Sequence, residues 1–147
     1  MSRLFYLMCE IMQYQLITTY EQLDNVCALA QQQGAVALDT EFVRTRTLTP
    51  HLGLIQLYDG HQLVLIDPIA IDNMQPFIDL LENKSLVKVL HSCSEDLETF
   101  LVAFNTIPEP VFDTQFAASL LDMRPSLGYA RLVEMICNVS LDKGESR

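Results

Sequence analysis

Positive charge is scarce in this chain: nine lysines and arginines stand against 19 aspartates and glutamates, a formal net charge of −10 over 147 residues. That balance argues against a protein that grips nucleic acid through a broad basic face, because phosphate binding is normally driven by Lys and Arg. The cysteines carry no pattern either. Cys9, Cys27, Cys93 and Cys137 lie far apart, with no C-x-x-C and no nearby histidine pair, so neither a zinc knuckle nor a disulfide framework is indicated, and a reducing cytoplasm fits. No apolar run approaches the roughly 20 residues of a membrane span. Repeats, linkers and low-complexity stretches are missing, as is a nucleophile elbow for Ser-His-Asp chemistry.

What is present suits a single folded domain. Half the residues are apolar and 19% are charged, the composition of a globular protein with a real core. The start, residues 1–11, reads as an ill-defined leader: its apolar stretch is interrupted by Glu10, and no small-residue cleavage site follows. Met12 directly precedes the strand-like Tyr14-Gln15-Leu16-Ile17 and is an alternative start.

Along the chain, Tyr14 to Thr18 reads as an edge strand. Thr19 to Gln33 reads as a helix capped by Thr18 or Thr19 and stopped by Gly34. Val36 to Thr40 is apolar on both faces, as expected of a central strand. Residues 53–58 and 62–66 are two more strands, joined through Asp59-Gly60-His61, a strong hairpin signal. Asp72 to Leu81 is helical in pattern, Leu86 to Leu90 returns to strand, and Ser94 to Phe104 is a helix with Leu97, Phe100, Leu101 and Phe104 on one face. A short strand at Val111-Phe112 and helices over 114–121 and 127–137 follow. The pattern predicts an α/β fold with a mixed sheet flanked by helices.

The most specific chemical feature is Asp39-Thr40-Glu41. Residues two apart on a strand share a face, so both carboxylates point the same way and can converge on one cation. Acids buried beside Val36, Ala37 and Leu38 are costly when bare, and a divalent metal is the usual compensation. A lone Asp-x-Glu is more often a plain strand end. Asp96 is a third candidate, in the first turn of the helix after strand 86–90. If strands 36–40 and 86–90 are parallel neighbours, all three acids share the crevice beyond the strand ends. The alternative is that Ser94 caps this helix while Glu95, Asp96 and Glu98 complement its dipole. His91 either orients a phosphate or a metal-bound water or, more commonly at a strand end, is structural. Asp113 looks like a fourth acid but fits an N-cap better. Residues 42–58 hold no acid, and Arg44, Arg46 and His51 there form either a local positive lip or a solvated loop. Two bound divalent cations would offset four of the 19 negative charges.

Together, the string Ala37 to Arg46, the strand Gly53 to Leu57, the run Leu90 to Glu98 and Asp113-Thr114-Gln115 resemble ribonuclease D, of the DEDD exonuclease superfamily. The resemblance covers about residues 12–147, in order and with compatible spacing. It implies a ribonuclease-H-like fold, with Asp39 and Glu41 in the first exonuclease motif and Asp96 in the second. Implied too is removal of single nucleotides from RNA with a free 3′ end, including transfer RNA precursors, using two divalent ions, Mg or Mn. Phe42, Arg44, Arg46, Gln56 and His91 are candidate substrate contacts. No membrane and no stable protein partner are implied. The resemblance also calls for a third motif, Tyr-x-x-x-Asp, on a later helix. None occurs between Asp113 and Arg147, where Tyr129 is followed four residues later by Val133. The expectation is therefore a nuclease domain truncated before its last helix, poor at hydrolysis alone and exposing apolar surface.

Two other functions compete with hydrolysis by metal ions held on Asp39, Glu41 and Asp96. One is a catalytically silent nucleic-acid-binding module using Arg44, Arg46 and the cleft. The other is a phosphatase with Asp39 as nucleophile; that chemistry usually places a second Asp where Glu41 stands and a later Lys in the cleft, whereas Lys88 lies mid-strand.

Overall fold

The computed structural model describes residues 13–44 and 49–141. Residues 1–12, including the leader and Met12, lie outside them, as do Arg46 and the charged segment from Asp142 to Arg147. The described elements, in chain order, are β1 (Tyr14–Ile17), α1 (Tyr20–Ala30), β2 (Ala35–Val43), β3 (His51–Tyr58), β4 (Leu63–Ile66), α2 (Gln75–Glu82), β5 (Val87–Leu90), α3 (Ser94–Phe104), β6 (Val111–Asp113), α4 (Thr114–Leu120) and α5 (Tyr129–Cys137).

Short-range chemistry sets most of these bounds. Thr19 closes a capping box: its hydroxyl accepts from Gln22 N–H at 3.3 Å, while the Gln22 side chain accepts from the Thr19 N–H at 3.3 Å. The helix ends at Ala30, with the Gln31 N–H returning to Cys27 O, so it stops before Gly34 rather than at it. Helix α2 begins at Gln75, later than residue 72, because the Asn73 side chain accepts from Gln75 N–H and Pro76 occupies the first turn. Gly60, at φ 97°, makes the β3–β4 turn, where Asp59 Oδ1 accepts from both His61 N–H and Gln62 N–H at 2.8 Å.

The sheet runs β1-β4-β3-β2-β5-β6. Strands β2, β3 and β4 form an antiparallel meander, β1 pairs parallel with β4, and β2, β5 and β6 are parallel neighbours. Its two faces differ. By alternation and register, Val36, Leu38 and Thr40 share a face with Ile55, Leu57, Val64 and Ile66. Helices α1, α2 and α3 close this face with Leu23, Val26, Ala30, Phe77, Leu80, Leu81 and Phe100, all buried. Phe77 packs against Phe100 and Phe104 with ring centroids 5.8 and 5.9 Å away. Each fully buried Leu or Phe there contributes about 1.5–3 kcal/mol.

The opposite face carries Ala37, Asp39 and Glu41 of β2, with Gln56, Val89 and Phe112 beside them. Helices α4 and α5 lie over part of it and leave an open apolar pocket of about 420 Å³, bordered by Asp39, His91, Phe112, Leu121, Tyr129 and Ile136 among others. Phe116, Leu121 and Ile136 are 64%, 72% and 65% exposed.

Candidate active site

Parallel pairing of β2 with β5 brings the start of α3 beside the end of β2, as the crevice argument requires. Asp96, buried in the first turn of α3, reaches Thr40 between the two acids of β2. Its Oδ1 accepts from the Thr40 hydroxyl at 2.6 Å and from the Thr40 N–H at 3.1 Å. Because Thr40 faces the closed side while Asp39 and Glu41 face the other, the strand edge itself holds Asp96 near both. Burial pushes the Asp96 carboxyl up to about 6; the Thr40 hydroxyl opposes that rise, and the charge of Asp39 adds to it.

The dipole-only alternative for α3 does not describe Asp96, since Thr40 fixes its side chain. Ser94 is also not the cap expected of it. It is the first helical residue, and Cys93 stands at the cap position without a side-chain cap bond. Asp113 anchors this helix start from across the sheet, accepting from Ser92 N–H at 3.0 Å and Cys93 N–H at 2.9 Å. It also caps α4, accepting from Gln115 N–H at 2.8 Å and Phe116 N–H at 3.2 Å. Burial alone would raise this carboxyl, yet the Cys93, Ser92 and Phe116 donors outweigh it and hold the pKa down at about 2. The capping assignment of Asp113 is correct, and it adds a tie to the turn at Ser92, whose φ is 57°.

His91 is turned away from solvent, with Nδ1 2.8 Å from the Thr114 hydroxyl and its ring edge-on to Tyr129 at 5.3 Å. Burial lowers its pKa, against the raising effects of Asp113, the Leu127 carbonyl and Asp39. Tyr129 was not singled out as a site residue by sequence; its hydroxyl is buried on the same side, and its pKa is raised by burial, then by Cys137 and Asp39.

Of the residues expected to form a positive lip, Arg44 meets acids of α3. Arg44 lies 5.4 Å over the Phe42 ring and its guanidinium donates to Glu98 Oε2 at 2.8 Å, with Glu95 at 3.6 Å. The Glu98 hydrogen bond raises its pKa despite partial desolvation. Gln56 is fully buried, opposite Asp39 in register. Lys88 is buried too, and Nζ donates to Asn83 O at 2.6 Å and Glu109 O at 2.9 Å, far from the acids at the other end of the sheet. The lysine an aspartyl phosphatase would need in the cleft is therefore committed elsewhere.

Among the described residues no three His, Cys, Asp or Glu side chains converge closely enough to hold an ion. The three acids are neighbours rather than one closed ligand set. Their chemistry nonetheless fits a divalent cation: all donors are carboxylate oxygens, and burial beside Asp39 penalises the Asp96 charge that a cation would relieve.

A family model described as 3′-5′ exonuclease matches residues 14–147. The chain belongs to the 3′-5′ exonuclease family. Within that family it is 57% identical over 136 residues to ribonuclease D of Serratia proteamaculans, covering 92% of this chain and 36% of the relative. The crystal structure of Escherichia coli RNase D, described as an exoribonuclease involved in structured RNA processing, superposes with a TM-score of 0.88 at 49% identity, covering 92% of this chain and 36% of that one. Trypanosoma brucei RNase D in complex with RNA U12 shares the fold, with a TM-score of 0.79 at 20% identity, over 88% of this chain and 48% of that one. The α/β sheet is thus the ribonuclease-H-like arrangement expected, and the chain spans about 36% of the length of the curated relatives it matches.

Proposed function

We propose that this chain forms the carboxylate-bearing part of a 3′-5′ exoribonuclease of the ribonuclease D kind, which releases mononucleotides from RNA 3′ ends, transfer RNA precursors among them. One observation supports this most: Thr40, between Asp39 and Glu41, draws the buried Asp96 from α3 to the end of β2. Asp39 and Glu41 project together to hold cations, and Asp96 stands by with its orientation fixed. When bound, Mg or Mn ions supply an activated water and stabilise the leaving 3′ oxygen. His91, half-buried, lines the same pocket as Asp39. A reducing cytoplasmic setting belongs to the same reading, supported by the free thiols of Cys27, Cys93 and Cys137.

The competing reading is a binding module without turnover. A chimera separates the two. In it, this chain replaces the matching part of the E. coli enzyme and is tested on 5′-labelled RNA with Mg or Mn. Mononucleotide release that Asp39→Ala and EDTA each abolish is the expected result. An inactive chimera that still binds RNA supports the silent module instead.

A further inference from the structure

Buried polar atoms without hydrogen-bond partners gather on the open side of the sheet. They include Nε2 of His91, Oη of Tyr129 and both amide atoms of Gln56. Gln56 is the most telling, because it sits on the central strand β3 at 0% exposure and neither its Oε1 nor its Nε2 is bonded. Buried polar side chains elsewhere are satisfied, as at Lys88, which donates to two carbonyls, Thr99, which donates to Glu95 O, and Asp59, which accepts from two N–H groups. A buried amide left unbonded is a standing cost that a methionine of similar length would not incur. Its place explains what the amide is for. Gln56 is the register partner of Asp39 on the same face, where Cβ atoms of an antiparallel pair lie roughly 4.5–5.5 Å apart.

We propose that Gln56 is a positioning residue of the carboxylate site, whose side-chain N–H donates to Asp39 in the cation-bound protein and fixes the orientation in which Asp39 meets the ion. Thr40 already does this for Asp96. The inference rests on the metal-site reading above. Partners that orient ligands in this way typically change metal affinity on the order of ten-fold to a hundred-fold when removed.

The test is calorimetric titration of Mn into the wild-type chain, Gln56→Met and Gln56→Asn, beside thermal unfolding of each without metal. Gln56→Met should unfold at the same or a higher temperature than wild type when metal-free, yet bind Mn on the order of ten-fold more weakly. Gln56→Asn, which keeps an amide but withdraws it by one methylene, should lose affinity likewise and serves if the Met variant fails to fold. Unchanged Mn affinity in a folded variant overturns the Gln56 assignment and leaves the metal site standing. A wild-type chain that takes up no Mn overturns the metal-site reading and this inference with it.

Discussion

The two faces of the sheet are built to different standards. On the side of α1, α2 and α3, apolar side chains from strands and helices interlock and the core residues are buried. On the side of α4 and α5, the pocket of about 420 Å³ lies open, large apolar groups face solvent, and buried polar atoms of Gln56, His91 and Tyr129 lack partners. Asp39 and Glu41 project to this second side. The closed face carries the stability of the fold, and the open face keeps unsatisfied groups at the carboxylates, as functional sites commonly do.

The largest effect that would sharpen this contrast is a paired truncation. Phe100→Ala, in the closed core, should cost about 3–5 kcal/mol in urea unfolding. Phe112→Ala, 49% exposed on the other face, should cost under about 1 kcal/mol. Similar losses for both would mean that the faces do not differ energetically.

Next in size is Asp113, which joins the faces by tying the start of α3 to the start of α4. Asp113→Asn should destabilise by about 1–2 kcal/mol near neutral pH, since it weakens charge-assisted bonds from backbone N–H groups. The sign with pH is fixed by a folded pKa of about 2 against an ordinary 3.8. The unfolded chain binds the proton first, so this contribution is fully present above the ordinary value and is lost as pH falls from there toward the folded one. Unfolding measured from pH 5 to 2, roughly that window, should fall less steeply in Asp113→Asn than in wild type.

A smaller effect on stability is expected from the exposed patch. The double change Leu121→Glu with Ile136→Lys should alter unfolding free energy by less than about 0.5 kcal/mol. It should also reduce concentration-dependent association in sedimentation, because it breaks up a contiguous apolar surface. Association unchanged by the pair would place the sticky surface elsewhere and weaken the contrast between faces.

Sequence pattern reached some of these features and not others, for physical reasons. The spacing of Leu97, Phe100, Leu101 and Phe104 predicts a helix over 94–104, and α3 has those bounds, but its buried face is Asp96, Thr99 and Phe100, with Leu101 44% exposed. Asp59-Gly60 predicts the hairpin because turn chemistry is local. The Asp-x-Glu spacing places two acids on one face for the same reason. What no local pattern carries is the 56-residue reach by which Thr40 orients Asp96, or the burial of Gln56 opposite Asp39. Both depend on strand register. The helix start at 75 is displaced from the expected 72 by an Asn73 side chain, whereas the start at 94 is where the pattern put it, held by an aspartate 20 residues away from Cys93.

Arg44 shows how far a charge pattern misleads without tertiary partners, and it gives the smallest predicted effect on stability. An acid-free stretch after Asp39-Thr40-Glu41 reads as a positive lip, yet α3 delivers Glu95 and Glu98 to Arg44. The pair is solvent-exposed, so salt screens it and the two long side chains lose freedom by meeting. Arg44→Ala should therefore leave the melting temperature unchanged at about 0.15 M salt. Its consequence belongs to binding. Removing the acids by Glu95→Gln with Glu98→Gln takes two negative charges from beside the guanidinium, and RNA affinity should rise with a steeper dependence on salt. Affinity unchanged in that double variant, measured across a salt series, would show that Arg44 takes no part in holding RNA and that the acidic helix is not what masks it.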